Sequence, residues 1–175
     1  SEPLTFILWK LNHYSNNFIA QQLLYAIGSE GKHPAGVDRG LKKLRSYVID
    51  LGFRPENFAI VDASGLSHSN RLSAAIVTRA LRNIIQDSAI RPEFLSSLSV
   101  PLKSGTLEER HVGQEGLLVR AKTGTLSEAT GLAGILENRA GTLFAFCILQ
   151  NGVKSRAKAH KLDDEFVSIV AGSGV

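Results

Sequence analysis

Two short stretches place reactive side chains where regular structure has no use for them. The first is Lys122-Thr123-Gly124-Thr125, which ends an otherwise largely apolar run that begins at Leu117. A lysine at a strand end is a fixed positive charge. It can hold a carboxylate and lower the pKa of a neighbouring hydroxyl or ammonium group. Threonine hydroxyls can donate to the same carboxylate. Gly124 carries no side chain, so an extended peptide can lie against the strand, leaving the Thr125 N–H to point at a developing oxyanion. The second stretch is Ser15-Asn16-Asn17. Its serine can relay a proton, and the Asn17 amide can hold a peptide amide through both its donor and its acceptor. Each stretch also has a plain structural explanation, a solvated strand end and a helix N-cap. By average composition a Lys-[Ser/Thr]-Gly tripeptide arises by chance in roughly one such chain in ten, and Ser-x-Asn in about one in two. Neither carries a function alone.

The elements that must position these residues follow from periodicity. Residues 3–12 read as a short helix, broken by Asn12 to Asn17. Helical spacing returns from Phe18, with Ile19, Leu23 and Ile27 on one face, and Gly28 and Gly31 stop it. Val37 to Leu51 is amphipathic, with Leu41, Leu44, Val48 and Leu51 as its stripe and Lys42, Lys43 and Arg45 on its wet face. Gly52 ends it and Pro55 blocks its continuation. Phe58 to Val61 reads as a short strand before the polar turn Asp62 to Ser67, where Asp62 is expected to accept from the Gly65 or Leu66 N–H. Ser73 caps a helix with Ile76, Val77, Ala80, Leu81, Ile84 and Ile85 inward. Arg91 to Leu98 is a further short helix. After Gly116 the period becomes that of strands: 117–125, 132–137 and 142–150, the last two joined by a turn at 138–141. A final helix over about 154–170 is expected to turn Leu162, Phe166 and Ile169 inward. Helices, then an antiparallel three-stranded meander, then a helix argue for an α+β architecture in one domain.

The chain has 175 residues, 43% of them hydrophobic and 21% charged, with a formal net charge of +4 and a pI of about 9.4. The basic residues are dispersed, so nucleic acid is not an expected partner; the mild positive balance suits an anionic substrate or matrix. No stretch approaches the roughly 18 apolar residues of a membrane span. The start lacks the basic and apolar segments of a signal peptide, and no methionine begins it. It therefore reads as a processed chain or a piece of a longer one. The single cysteine, Cys147, sits in an apolar strand and reads as a packing residue. His13, His33, His68, His111 and His160 lack metal spacing, so neither a zinc site nor any other cofactor is expected. Arg110 and Arg120 read as surface or ion-pair residues.

Taken together and in this order, the two stretches match the last two elements of the signature Ser-x-x-Lys, Ser-x-Asn, Lys-Thr-Gly. At that point the chain resembles the C-terminal part of a D-alanyl-D-alanine carboxypeptidase/endopeptidase, a class C low-molecular-mass penicillin-binding protein. The resemblance is carried by Ser15 to Asn17 with Ala20 to Leu24, Val61 to Ser67 with Asn70 to Ser73, Ser104 to Leu107 with Arg110, Ala121 to Leu126, and Gly131 to Gly134. Ala63 stands where the family usually has Gly, and 99–103 is looser than the family pattern. The resemblance implies residues 1–175 as part of one transpeptidase-type domain, with a Ser-x-Asn helical region over about 1–115 and a Lys-Thr-Gly sheet and last helix over about 116–175. It implies Ser15, Asn17 and Lys122 as catalytic residues and Thr123, Gly124 and Thr125 as substrate-binding ones. Peptidoglycan peptides and β-lactams are the implied partners, and a periplasmic or otherwise extracytoplasmic location the implied setting.

The nucleophile box of that signature should precede Ser15, and no Ser-x-x-Lys stands there. Ser29-Glu30-Gly31-Lys32 lies at a glycine-flanked helix end. Ser155-Arg156-Ala157-Lys158 follows the Lys-Thr-Gly strand and lies in the solvated start of the last helix. Neither is read as the nucleophile. The expectation is that the remainder of a parent chain carries the attacking serine and two further strands. The chain alone would then be inactive, with one face and one edge of its sheet lacking their natural cover. The alternative is a non-catalytic peptidoglycan-binding or partner domain of the same fold.

Overall fold

The structure, a computed structural model, describes residues 2–29, 36–113 and 116–174. Three helices open the chain: α1 (Leu4–Tyr14), α2 (Asn17–Ser29) and α3 (Val37–Asp50). Helix α4 (Ala74–Gln86) and the short α5 (Arg91–Ser97) follow, then strands β1 (Val119–Thr125), β2 (Ala129–Glu137) and β3 (Leu143–Asn151), and last α6 (Arg156–Gly172). The sheet is antiparallel throughout, in the order β1-β2-β3. The architecture is α+β. Helix α1 packs against α2 and α5, α2 against α3, α4 against β3, and α6 against β2.

Most element expectations hold. The α3 stripe buries Leu41 and Val48, and Gly52 follows at φ +94°. The Ser73 Oγ accepts from the Ile76 N–H at 3.3 Å, and Ile76 and Leu81 are buried on α4. In the turn after β2, the Asn138 Oδ1 accepts from the N–H groups of Ala140 and Thr142 at 3.1 and 2.8 Å.

Three expectations are corrected. The buried face of α2 is carried by Leu24 and Gly28 rather than by Ile19, Leu23 and Ile27, and Ile27 is exposed. Residues 58–61 form no strand; Ala59 makes a single bridge to Arg71. On α6 the inward side is Ala159, Asp163, Val167 and Ala171, while Leu162, Phe166 and Ile169 are 60%, 52% and 73% exposed. The apolar and the small stripes of α6 lie about one residue apart, and the sheet accepts the small one. Val167 and Ala171 fit against Val119, Ala121, Leu132, Leu136 and Phe146 in a close layer. The approach is close within the sheet too. A Cβ on Gly134 would fall 2.2 Å from the Arg120 carbonyl oxygen, so only glycine fits there.

Asp163, buried on this inner side, accepts from the Gln150 Nε2 at 2.7 Å. Arg110 pairs with Asp164 and also donates to the His160 carbonyl at 3.2 Å, tying the segment after α5 to α6. Arg110 is thus the ion-pair residue expected from the sequence. The Ser155 Oγ accepts from the Lys158 N–H at 3.4 Å and Lys158 is exposed, so this Ser-x-x-Lys is the N-cap of α6. The other, at 29–32, lies largely outside the described residues, as do Gly31 and His33.

Candidate active site

Helix α1 ends on Ser15, held left-handed at φ 52° and ψ 49°, and α2 begins two residues later. The tight turn divides the work among three polar residues. Asn16 is the cap: its Oδ1 accepts from the Ile19 N–H at 3.0 Å. Ser15 and Asn17 are released from that duty, and both line a cavity of about 650 Å3 between the α1–α2 junction and β1. The Asn17 side chain makes no hydrogen bond among the described residues.

Lys122, Thr123, Gly124 and Thr125 form the opposite wall of the same cavity. The Lys122 Nζ donates to the Ser15 Oγ at 2.7 Å, bringing together groups 107 residues apart in sequence, and also donates to the Thr123 carbonyl. Burial pushes the Lys122 ammonium down to about 8 from an ordinary value of 10.5. The Ser15–Lys122 contact is therefore a hydroxyl beside an amine that changes charge near neutral pH.

The edge of β1 explains why this end is open. Upstream, Ala121 is closed off: its N–H donates to the Ser99 carbonyl at 3.0 Å and its carbonyl accepts the Ser99 N–H at 3.1 Å. Downstream, the Leu126 N–H is taken by Ala129 on the β2 side at 2.8 Å. Antiparallel alternation then turns the main-chain N–H and C=O of Thr123 and Thr125 outward, away from β2. Gly124 pairs with Gly131 across the strands, and a Cβ at Gly124 would meet nothing within 4 Å. The wall thus offers a strand edge, a side-chain-free floor and one cation.

A third wall is the turn after Phe58, contributing Ala63 to Leu66. It is organised by Asp62, whose Oδ1 accepts from the Gly65 N–H and the Asn70 Nδ2 at 2.9 Å each and whose Oδ2 accepts from the Ser67 N–H at 3.1 Å. Burial pushes the Asp62 carboxyl up, but hydrogen bonds from Asn70, Gly65, Ser64 and Ser67 outweigh it and hold the group below its ordinary value. Gln21 fastens this turn to α2 through the Ala63 N–H at 3.3 Å. The role expected for Asp62 is the one it has, though Leu66 donates to the Ser64 Oγ instead.

All six residues singled out in the sequence therefore line one cavity. Thr106 and Asn12 line it as well and were not picked out. Thr106 belongs to a segment already noted between Ser104 and Leu107, but nothing in its spacing announced a cavity residue. A separate cavity of about 680 Å3, lined by Pro101, Val112 and Leu117 among others, lies at the other end of β1 and holds none of the six. Among the described residues no group of three or more His, Cys, Asp or Glu could hold a metal ion, and no helix is long and apolar enough to cross a membrane.

The chain is similar in sequence and fold to known proteins. The chain is 33% identical over 162 residues to the D-alanyl-D-alanine carboxypeptidase of Actinomadura sp., covering 87% of this chain and 29% of that one. It is 32% identical over 163 residues to Carboxypeptidase DacB of Mycolicibacterium smegmatis, covering 86% of this chain and 34% of the other. The chain thus spans about a third of the length of these curated relatives. The crystal structure of penicillin binding protein 4 (dacB) from Haemophilus influenzae superposes with a TM-score of 0.86 at 26% identity, over 99% of this chain and 41% of that one. The TLA-3 extended-spectrum β-lactamase shares the fold alone, with a TM-score of 0.69 at 15% identity over 97% of this chain and 62% of that one. The model of the D-Ala-D-Ala carboxypeptidase 3 (S13) family matches residues 1–172, and the chain belongs to that family.

Proposed function

We propose that this chain supplies three walls of the active site of a serine-type D-Ala-D-Ala carboxypeptidase/endopeptidase acting on peptidoglycan stem peptides. The observation that carries the reading is the Lys122 Nζ–Ser15 Oγ contact at 2.7 Å, with Asn17 on the same cavity. In this reading the attacking serine belongs to the remainder of a parent chain. Its Oγ bonds to the carbonyl carbon of the penultimate D-Ala while the amide C–N bond breaks. Ser15 passes the serine proton to the leaving amine, and water later cleaves the ester. Asn17 orients the peptide amide. Lys122 and Thr123 hold the carboxylate of the leaving residue, and Gly124 gives the peptide room against the strand. The outward Thr125 N–H forms half of the oxyanion hole, the attacking serine's own N–H being the other half. Penicillins would acylate the same serine. A family of cell-wall hydrolases implies an extracytoplasmic setting, with 1–175 as part of one transpeptidase-type domain.

The unpaired outer edge of β3 and the exposed Leu162, Phe166 and Ile169 of α6 are then the surfaces that the rest of the domain covers. The competing reading, a non-catalytic binding domain, is favoured by one observation: among the described residues no Ser-x-x-Lys reaches the cavity. Incubation with a labelled penicillin followed by intact-mass measurement tests the assignment of the nucleophile. The chain alone should stay unmodified, and a stable adduct would place the nucleophile within it. Addition of a peptide ending in D-Ala-D-Ala should shift the backbone amide signals of Lys122 to Thr125; no shift there would sink the active-site reading.

A further inference from the structure

The Ser99–Ala121 bridge divides the outer edge of β1, and the upstream half faces the separate cavity of about 680 Å3. The Glu137 N–H donates to the Leu118 carbonyl at 2.8 Å, so Leu118 turns toward β2 and Val119, like Ala121, turns its main-chain groups away from it. With Ser99 opposite Ala121, continued pairing would set Pro101 opposite Val119. Proline has no N–H to donate, and the chain turns off the strand there. The Val100 carbonyl accepts from the N–H groups of Lys103 and Ser104 at 3.2 and 3.0 Å, closing the turn. Val119 is only 4% exposed and lines the cavity, yet its outward N–H and C=O have no hydrogen-bond partner among the described residues. Buried main-chain groups left in this way are costly unless something in the cavity takes them.

The walls are already built. Leu102 is held left-handed at φ 56°, its N–H donating to the Leu107 carbonyl at 3.1 Å, and this strained leucine stands 53% exposed at the rim. Across from it Gly113 is fixed to α6 through the Ser168 hydroxyl, and a Cβ at Gly113 would fall 2.4 Å from the Val119 Cγ2. The ionisable side chains of the lining among the described residues are Lys103, His111 and Arg120. None of the three makes an ion pair there, and Arg120 is steadied by donating to the Leu95 carbonyl at 3.3 Å.

An open strand edge selects an extended peptide, and a basic rim selects carboxylates. Pairing of β1 with a second copy of itself would set the same cations face to face. The unpaired edge of β3 lies at the opposite side of the sheet. We propose that the Val119 groove binds an acidic, extended segment of a separate protein as an added strand. The inference stands on β1 and its surroundings and does not depend on the D-Ala-D-Ala reading.

The Val119 amide signal reports this groove and the Gly124 amide signal the candidate active site. The chain should be titrated with two N-acetylated, C-amidated pentapeptides, Glu-Val-Glu-Val-Glu and Gln-Val-Gln-Val-Gln. The acidic peptide should shift Val119 and leave Gly124 in place. It should bind roughly tenfold more tightly than its neutral counterpart at low salt, the gain expected from about three exposed ion pairs. That preference should shrink at about 0.5 M salt, and Lys103→Gln and Arg120→Gln should each remove a good part of it. Equal affinities, or a preference that both variants leave intact, would overturn the proposal. So would a Gly124 shift without a Val119 shift, which would put the peptide in the other cavity. A Val119 shift that grows with chain concentration in the absence of peptide would show a second copy on the edge, and would overturn it as well.

Discussion

At the Lys122 end of β1, polar residues stand at the surface with partners arranged around them. On α6, Leu162, Phe166 and Ile169 stand in solvent although their type belongs in a core. The first region has its geometry already: a lysine fixed by Ser15, a strand edge opened by alternation, a turn tied down by Asp62. The second has a helix whose small side carries its attachment to the sheet, with its large apolar side in reserve. Hydrogen-bonded groups hold their geometry wherever their partners lie within the same piece of chain. An apolar face is complete only when something covers it.

That contrast can be broken by substitution. The largest effect is expected on the inner side of α6, where Val167→Ala should lower stability by about 2 kcal/mol in chemical denaturation. Its neighbour Phe166→Ser should change stability by no more than about 0.5 kcal/mol, and a comparable loss from both would show that α6 has no privileged side. Next comes Lys122→Ala. It should weaken binding of a D-Ala-D-Ala peptide by about 2 kcal/mol, or roughly thirtyfold, with the fold retained by circular dichroism.

Ser15 separates strain from chemistry. Ser15→Ala keeps a left-handed non-glycine residue and removes the hydroxyl beside Lys122, whereas Ser15→Gly removes both burdens. The glycine variant should be the more stable of the two by about 1 kcal/mol in thermal melts. The reverse order would mean that the turn is unstrained.

The smallest and most diagnostic effect is on pH. With Lys122 pushed down to about 8, its charge is lost as pH rises through that value. Peptide affinity should fall over the same range, and Lys122→Arg, which stays charged, should flatten the profile. Stability moves the other way. In the unfolded chain the lysine titrates near 10.5, so between about 8 and 10.5 the unfolded state binds more protons and stability rises with pH. The cost of burying the charge is fully present below that window. A urea-denaturation series at pH 7, 9 and 10.5 on wild type and Lys122→Met should show the rise only in the former.

Much of this was legible in the sequence where local chemistry decides. Ser15, Asn17 and Lys122 to Thr125 were recognisable by type and order, and the stripes of α3 and α4 by period. What was not legible depended on neighbours. For α6 two stripes competed, and only the spacing of Val119, Ala121 and Leu132 on the sheet selects the small one. For α2 the buried positions Leu24 and Gly28 follow from its contact with α3, not from its own strongest apolar repeat. Residues 58–61 have strand-forming types but find a single partner bridge, at Arg71. Thr106 reaches the cavity because Gly105 lets its loop fold onto α1, a consequence of packing that no spacing rule expresses.

The bridge between Ser99 and Ala121 has a consequence of its own. It closes the edge of β1 immediately upstream of Thr123, so the outward groups of the strand beyond it are those of Thr123, whose carbonyl already accepts from the Lys122 Nζ, and of Thr125. An extended chain that enters along Thr125 runs out of track after those two positions and meets Ser99. In the proposed function the strand would then work as a ruler with an end stop. It would admit the last residues of a chain and turn away the middle of one, so that main-chain length, before any side chain is read, would separate a terminus from a segment.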